Sequence, residues 1–284
     1  MSKNSMKEGG IMPALPEVET VKRVVGPQIK NKKIIGIEIK NKNVIAYPEC
    51  NEFVKMVQNS IITGMTRRGK FLVIDLDKGK HIYVHLRMTG CLIVTPKDWP
   101  MEKHTHVILE LNDGNEIRYV DLRRFGKFWV LGEEEDTVTG INKLGLEPFD
   151  NMLTAEYLQK KLGHRKKAIK ECLLDQSIVT GIGNIYGDEI LFECRINPQR
   201  RACDCTEEQW KELSVKIPEV LSFFIEKNAI SNEDYLIGKG KDYRNAPYIK
   251  IYGHEGMPCP VCGEPMVKVV ISGRSSVFCP RCQR

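Results

Sequence analysis

The 284-residue sequence has no apolar run approaching the roughly 20 residues that span a bilayer as a helix. Its first ten residues, MSKNSMKEGG, lack the apolar core of a secretory signal, so a cytoplasmic protein is expected. There is no internal repeat and no low-complexity tract, which excludes repeat arrays. Charge of one sign is not in large excess. The 43 Lys and Arg against 37 Asp and Glu leave +6, with a pI near 8.7. That balance permits an acidic partner such as nucleic acid without demanding one. What is present is ample apolar content, 42% of residues, enough for one large or two ordinary folded domains.

Three compositional regions follow one another. A short helix-like piece, PEVETVKRVVGPQI, precedes a strand-rich half. Ile34–Ile39 (IIGIEI) alternates, and Lys70–Leu76 (KFLVIDL) and His81–Val94 (HIYVHLRMTGCLIV) are rich in β-branched residues. Residues 106–111 and 116–131 continue the pattern around NDGN, a hairpin signal. A β-sandwich or barrel is predicted for roughly the first 135 residues. Residues from about Leu153 to Asn228 read as helices. Thr206 and Gln209 have capping-box spacing, and Pro218 is expected to kink or break the helix they open. Gly181 and Gly183, in IVTGIGNIYGDE, mark either a plain helix–helix turn or a close backbone approach. A Gly/Lys-rich loop, LIGKGKDYRNAP, leads into the last region.

That region holds Cys259, Cys262, Cys279 and Cys282 as C-x2-C-x16-C-x2-C. Two such pairs on tight turns place four thiolates in a tetrahedron around one structural Zn2+. A segment this short has little core, so the metal supplies its stability. The other six cysteines read as reduced thiols, with Cys203 and Cys205 close together near a predicted helix start. Between the metal pairs, Arg274 falls at a hairpin tip and is either a phosphate grip or a solvated turn residue. Basic residues recur at Arg67, Arg68 and Lys70, at Arg123 and Arg124, at 164–167 with Lys170, and at 195–201. Such clusters suit a phosphate-binding groove assembled from two domains, or solvated faces. Met88 and Phe125 are the types that either wedge into a base stack or fill a core.

The motifs LPEVET, RRGK, HLRMTG, KHTH, DLRRFG, GIGNIYGDE, IYGHEGMPC and the four-cysteine finger stand in this order from Met12 to Arg284. In them the chain resembles the bacterial formamidopyrimidine-DNA glycosylases, of the helix–two-turn–helix class, and LPEVET is nearer to that branch than to the related endonuclease VIII branch. The resemblance implies an α+β multidomain fold. Its parts are a catalytic β-sandwich (12–138), a helix–two-turn–helix DNA-binding domain (145–236) and a zinc-finger hairpin (248–284). It also implies a monomer acting on double-stranded DNA with damaged bases or abasic sites. The implied activity is bifunctional: excision of formamidopyrimidines and 8-oxoguanine, then strand nicking by β,δ-elimination.

By position, the resemblance makes Pro13 the nucleophile and Glu17 the residue that orients or stabilises the opened sugar. Lys70 serves β-elimination, and Arg274 serves δ-elimination and phosphate binding. His104, Arg123, Arg165 with its neighbour Lys166, Lys170 and Asn184 match DNA contacts. Met88, Arg123 and Phe125 match the residues that fill the void left by a flipped base. The glycines of GIGNIYGDE gain a purpose as backbone N–H donors to a phosphate.

Three features depart from the family pattern, one of them the loop GKGKDYRNAP before the finger, which bears on the preferred lesion. Ala14 stands where a glutamate is the usual proton donor for base loss. It raises the alternative of a weakened lesion- or abasic-site-binding protein, beside an endonuclease VIII-like activity on oxidised pyrimidines. Residues 1–11 form a leader that would keep Pro13 an unreactive amide. Lys7–Gly10 (KEGG) can be encoded by codons containing a ribosome-binding sequence, so Met12 is the expected start, with its removal freeing the Pro13 amine.

Overall fold

The computed structural model describes residues 13–132, 138–241 and 243–284. The leader and Met12 lie outside the described residues. The chain divides into two compact units. One holds Pro13, Glu17–Thr139 and Ile230–Asp242, and the other holds Ala14–Pro16, Gly140–Ala229 and Tyr243–Arg284.

In the first unit, helix α1 (Leu15–Ile29) turns Val18, Val21, Val25 and Ile29 into a core shared by two sheets. The strands are β1 (Ile34–Ile39), β2 (Ile45–Tyr47), β3 (Ile62–Arg68), β4 (Phe71–Leu76), β5 (His81–His85), β6 (Gly90–Pro96), β7 (Thr105–Leu111), β8 (Asn115–Asp121) and β9 (Lys127–Leu131). One sheet has the order β1-β7-β8-β6 and the other β2-β9-β5-β4-β3. Their facing Val, Ile and Leu side chains form a single apolar cluster, as the alternating pattern requires. The long segment 81–94 is two strands separated by a turn at 86–89, and 116–131 is likewise broken at 122–126. These two breaks carry Met88 and the Arg123–Phe125 segment. Helix α2 (Cys50–Val57) closes one end of this core with Phe53 and Val57. Residues 230–241 return to this unit although they follow the helical region in sequence. There Tyr235 is buried and donates its hydroxyl to the Leu92 carbonyl (3.0 Å).

The second unit contains α3 (Ala155–Leu162), α4 (Ile169–Leu173), α5 (Asn184–Glu193) and α6 (Glu207–Lys227). The last of the described α-helices, α7 (Asn232–Ile237), belongs with the sheets of the first unit. The capping box at Thr206 and Gln209 is formed. Pro218, expected to kink or break α6, does not end it, because the helix continues to Lys227. A proline inside a helix costs about 3 kcal/mol. Trp210, Leu213, Ile217, Val220, Leu221, Phe224 and Ile225 are buried along α6. At about 1.5–3 kcal/mol each, their burial outweighs that cost. Strands β10 (Val267–Ile271) and β11 (Arg274–Phe278) form the terminal hairpin.

Candidate active site and nucleic-acid interface

Pro13 and Ala14 directly precede α1, and both are buried. Glu17, in the first turn of α1, is fully buried. Two residues on, Glu19 carries three cations. Its Oε1 accepts from Lys22 (2.9 Å) and Arg23 (3.0 Å), and its Oε2 accepts from Arg67 Nε (3.1 Å). Burial alone would raise this carboxyl, but Lys22 and Arg67 outweigh it and hold Glu19 below its ordinary value. Arg67 also donates to the Gly69 carbonyl (2.9 Å). Arg68 pairs with Phe71, so Gly69–Lys70 is a two-residue hairpin, with Gly69 at φ 55°. Lys70 therefore sits on the turn, one residue before the strand predicted to start with it. The RRGK and PEVET motifs are thus one construction, in which Glu19 and Arg67 brace the turn that presents Lys70.

Met88 is half-buried in the β5–β6 turn, while Arg123 and Phe125 are exposed in the β8–β9 loop. The Arg123 guanidinium lies 4.7 Å from the Phe125 ring centroid, a cation–π contact. Neither Arg123 nor Phe125 is core, and an exposed aromatic backed by a cation is suited to meeting a base. His104 is half-buried at the start of the β7 segment, and its carbonyl accepts from Asp121 N (3.0 Å).

In the second unit, Arg274 is exposed and opens β11 directly after the turn residues Ser272 and Gly273, both at positive φ. Arg165 donates to Asp175 (2.8 Å), and Lys166 is exposed. Arg165, Lys167 and Arg274 share a cavity of about 220 Å³ with Glu171 and Asp175. Asn184 begins α5 and donates to the Ser275 carbonyl (3.0 Å).

Two expectations need correction. Lys170, read as a DNA contact, is 1% exposed, and its ammonium is used internally by Asp188 (2.7 Å) and the Ser275 carbonyl (3.0 Å). A charge withdrawn from water and already paired offers nothing to a phosphate. Gly181, read as an N–H donor to phosphate, gives its N–H to Gln176 Oε1 (2.9 Å). Its φ of 92° admits few residues other than glycine. The close approach it permits is to Leu15, whose side chain would lie 2.5 Å from an added Cβ and whose N–H bonds the Gly181 carbonyl (3.0 Å). Gly183 differs, standing at the N-cap of α5.

The Lys170–Asp188 pair is one half of a lock on β11. Asp188 also accepts from Ser276 Oγ (2.5 Å) and Val277 N (3.2 Å). Burial pulls the Lys170 ammonium down and the Asp188 carboxyl up, and each partner opposes the shift in the other. With Asn184, these groups fix the residues that immediately follow Arg274. Glu189 does the same for the approach to the finger, accepting from the backbone N–H groups of Lys250, Ile251 and Tyr252. Glu19, Asp121, Asp188 and Glu189 carry much of the internal order, and the sequence reading gave none of them a role. The available signal was an acid set in or beside an apolar run, as in YVDL and IYGDEIL.

The sulfurs of Cys259, Cys262, Cys279 and Cys282 all lie within 4.8 Å of one another, and no other group of three or more candidate ligands occurs among the described residues. Cys259 and Cys282 are 3.9 Å apart at sulfur, and Cys262 and Cys279 are 3.5 Å apart. A tetrahedron with Zn–S of about 2.3 Å has edges of about 3.8 Å, so the four residues fit one zinc ion. The cluster beneath them is small, with Phe192, Ile251, Met266 and Val277. Cys203 and Cys205 join no such group. Cys203 is exposed, and burial pushes the Cys205 thiol up to about 11.

Three family models match: the formamidopyrimidine-DNA glycosylase N-terminal domain over residues 12–128, its H2TH domain over 144–235, and the zinc finger found in FPG and IleRS over 256–284. The sandwich, the helical region and the four-thiolate hairpin are thus those of an H2TH DNA glycosylase. The chain is 40% identical over 274 residues to a formamidopyrimidine-DNA glycosylase of Pelotomaculum thermopropionicum, covering 96% of this chain and 99% of the relative. It is similar to a MutM structure in complex with carbocyclic 8-oxo-G DNA, with a TM-score of 0.87 and 32% identity, covering 96% and 100% of the two chains. It is also similar to the Lactococcus lactis Fpg bound to abasic-site DNA, with a TM-score of 0.86 and 29% identity, covering 95% and 99%. The chain belongs to the formamidopyrimidine-DNA glycosylase family.

Proposed function

We propose that this chain is a DNA glycosylase and abasic-site lyase that removes oxidised purines, formamidopyrimidines and 8-oxoguanine, from duplex DNA and nicks the strand. The observation that carries the reading is the bracing of the Lys70 turn, through Arg67 and Glu19, to the helix whose first residue, Leu15, is two positions after Pro13. A secondary amine and an ammonium are the two groups this chemistry needs from the sandwich. With its amine free, Pro13 attacks C1′ of the damaged nucleotide, and the bond from C1′ to the base breaks as the base takes a proton. The C1′–O4′ bond then breaks as O4′ takes a proton, leaving an open-chain iminium, an electron sink that acidifies C2′. Loss of the C2′ proton to water, with the Lys70 ammonium stabilising the departing phosphate, expels the 3′ phosphate. A second elimination expels the 5′ phosphate, with Arg274 holding the phosphate charge. Glu17 stabilises the opened sugar.

Met88, Arg123 and Phe125 fill the gap left by the flipped base. His104, Arg165, Lys166, Asn184 and the Gly183 N–H at the start of α5 hold the backbone. Zinc, held by Cys259, Cys262, Cys279 and Cys282, supplies the rigidity of the Arg274 hairpin. The protein acts as a monomer in the cytoplasm, on the nucleoid. No helix among the described residues is long and apolar enough to cross a membrane.

Ala14 shapes the balance of activities. It has no proton to give, and a positioned acid contributes about 10²–10⁴-fold. Cleavage at existing abasic sites is therefore the faster activity and base excision the slower. Borohydride trapping tests this, using protein whose first residue is Pro13 and duplexes carrying 8-oxoguanine, a formamidopyrimidine or an abasic site. The expected result is strong trapping at the abasic site and weak trapping at the bases. No covalent product on any duplex, despite tight binding, would establish instead the lesion-binding reading that Ala14 favours.

A further inference from the structure

Asp121, the last residue of β8, is fully buried and has no part in the chemistry above. Its carboxylate accepts from four uncharged donors, one in the β5–β6 turn, one on β8 itself and two in the β8–β9 loop. Oδ1 takes the Thr89 hydroxyl and the Arg123 N–H (3.1 Å). Oδ2 takes the Tyr119 hydroxyl (2.8 Å) and the Gly126 N–H (2.9 Å). Thr89 follows Met88 in the β5–β6 turn, and the Thr89 oxygen also accepts from the Arg123 N–H (3.1 Å). Arg123 and Gly126 bracket the loop that carries Phe125, in which Arg124 is held at φ 60°. That is a conformation a non-glycine residue keeps only when its surroundings enforce it. The Asp121 backbone extends the hub. Its N–H reaches the His104 carbonyl (3.0 Å), and its carbonyl pairs with His106 Nε2 (2.7 Å). Gly126 is required here, since a side chain at that position would coincide with the Tyr119 hydroxyl.

We propose that Asp121 is the positioning residue that couples the two wedge-bearing turns, so that Met88 and the Arg123–Phe125 loop enter the base stack as one unit. The inference rests on the reading of those side chains as void-fillers. Its chemical basis is the demand for acceptors. Asparagine has the same shape but presents an NH₂ on one side. The Thr89 and Tyr119 hydroxyls can rotate to accept from it, whereas the Arg123 and Gly126 N–H groups cannot. Whichever way the amide faces, one anchor of the β8–β9 loop is lost.

The test compares Asp121→Asn and Thr89→Val with the unaltered protein, each beginning at Pro13. Stopped-flow fluorescence of 2-aminopurine next to 8-oxoguanine reads duplex opening, a step that precedes base loss and does not need Ala14 to act. Borohydride trapping at a preformed abasic site, which has no base to unstack, reads the amine chemistry. The expected result for Asp121→Asn is an opening rate lower by about 10–100-fold, the effect of one lost hydrogen bond to a charged acceptor. Trapping at the abasic site should stay within about 3-fold. Thr89→Val leaves the carboxylate in place and removes only the link to the Met88 turn. It should slow opening by about 3–10-fold, and it carries the test if Asp121→Asn does not fold. Unchanged opening in both variants, or equal loss of opening and trapping, overturns the coupling role. An unaltered protein that opens neither damaged nor intact duplex removes the void-filling reading and this inference with it.

Discussion

Two buried aspartates, one in each unit, solve the same physical problem in opposite ways. Asp121 in the sandwich is surrounded by neutral donors, and Asp188 in the helical and finger unit is paired with an equally buried lysine. Burial would raise either carboxyl. At Asp121 the hydrogen bonds from Thr89, Gly126, Tyr119 and Arg123 outweigh burial and hold the group below its ordinary value. At Asp188 burial prevails over Lys170 and the group is raised. The surroundings account for the difference. The sandwich has a large apolar core fixing its strands, so a carboxylate at the rim need only gather loop N–H and hydroxyl groups. The finger has a core of a few residues and a four-cysteine metal site within it, and the buried Lys170–Asp188 pair holds its strand β11 through bonds to Ser275, Ser276 and Val277.

The largest way to break the comparison is to remove zinc. Chelation should unfold the hairpin and abolish DNA binding in a gel-shift assay while the sandwich keeps its strand signal in circular dichroism. Binding that survives chelation would remove the finger from the interface. Next in size, Ala14→Glu should raise 8-oxoguanine excision by about 10²–10⁴-fold in single-turnover kinetics and change abasic-site trapping little. This asks whether the sandwich lacks only a proton donor.

Lys170→Met tests the second unit's lock. Leaving Asp188 buried without its partner should destabilise by about 3–5 kcal/mol in urea unfolding, and pairing it with Asp188→Leu should restore most of that. The smallest effect is in pH. The folded Asp121 carboxyl is more acidic than the unfolded value of about 3.9. Its stabilisation is present above that value and is lost as pH falls through the lower folded one. Asp188 is raised, so it takes its proton at higher pH. Uptake of that proton favours the fold, so in thermal melts across an acid series wild type should gain relative to Asp188→Asn as pH falls through the raised value, and should lose its advantage over Asp121→Asn as pH falls further.

Much of the architecture was legible because it is locally encoded. The alternation in IIGIEI and the β7–β8 turn at NDGN follow from patterns within a few residues, as does the capping box at Thr206. Pro218 does not break its helix because a local penalty is set against seven buried side chains whose packing no short window reveals. Lys170 misled for the same reason. In HRKKAIK it reads as one more surface cation, and only the approach of α5 and β11 encloses it.

The sequence by itself determined the metal site, the order of the units and the residue types available for amine chemistry, because cysteine spacing and motif order are properties of the chain. Only the tertiary structure decided which charges are working surfaces and which are internal supports. The behaviour of Glu19, Asp121, Asp188 and Glu189 depends on donors arriving from segments up to about 90 residues away, and their burial makes those donors obligatory.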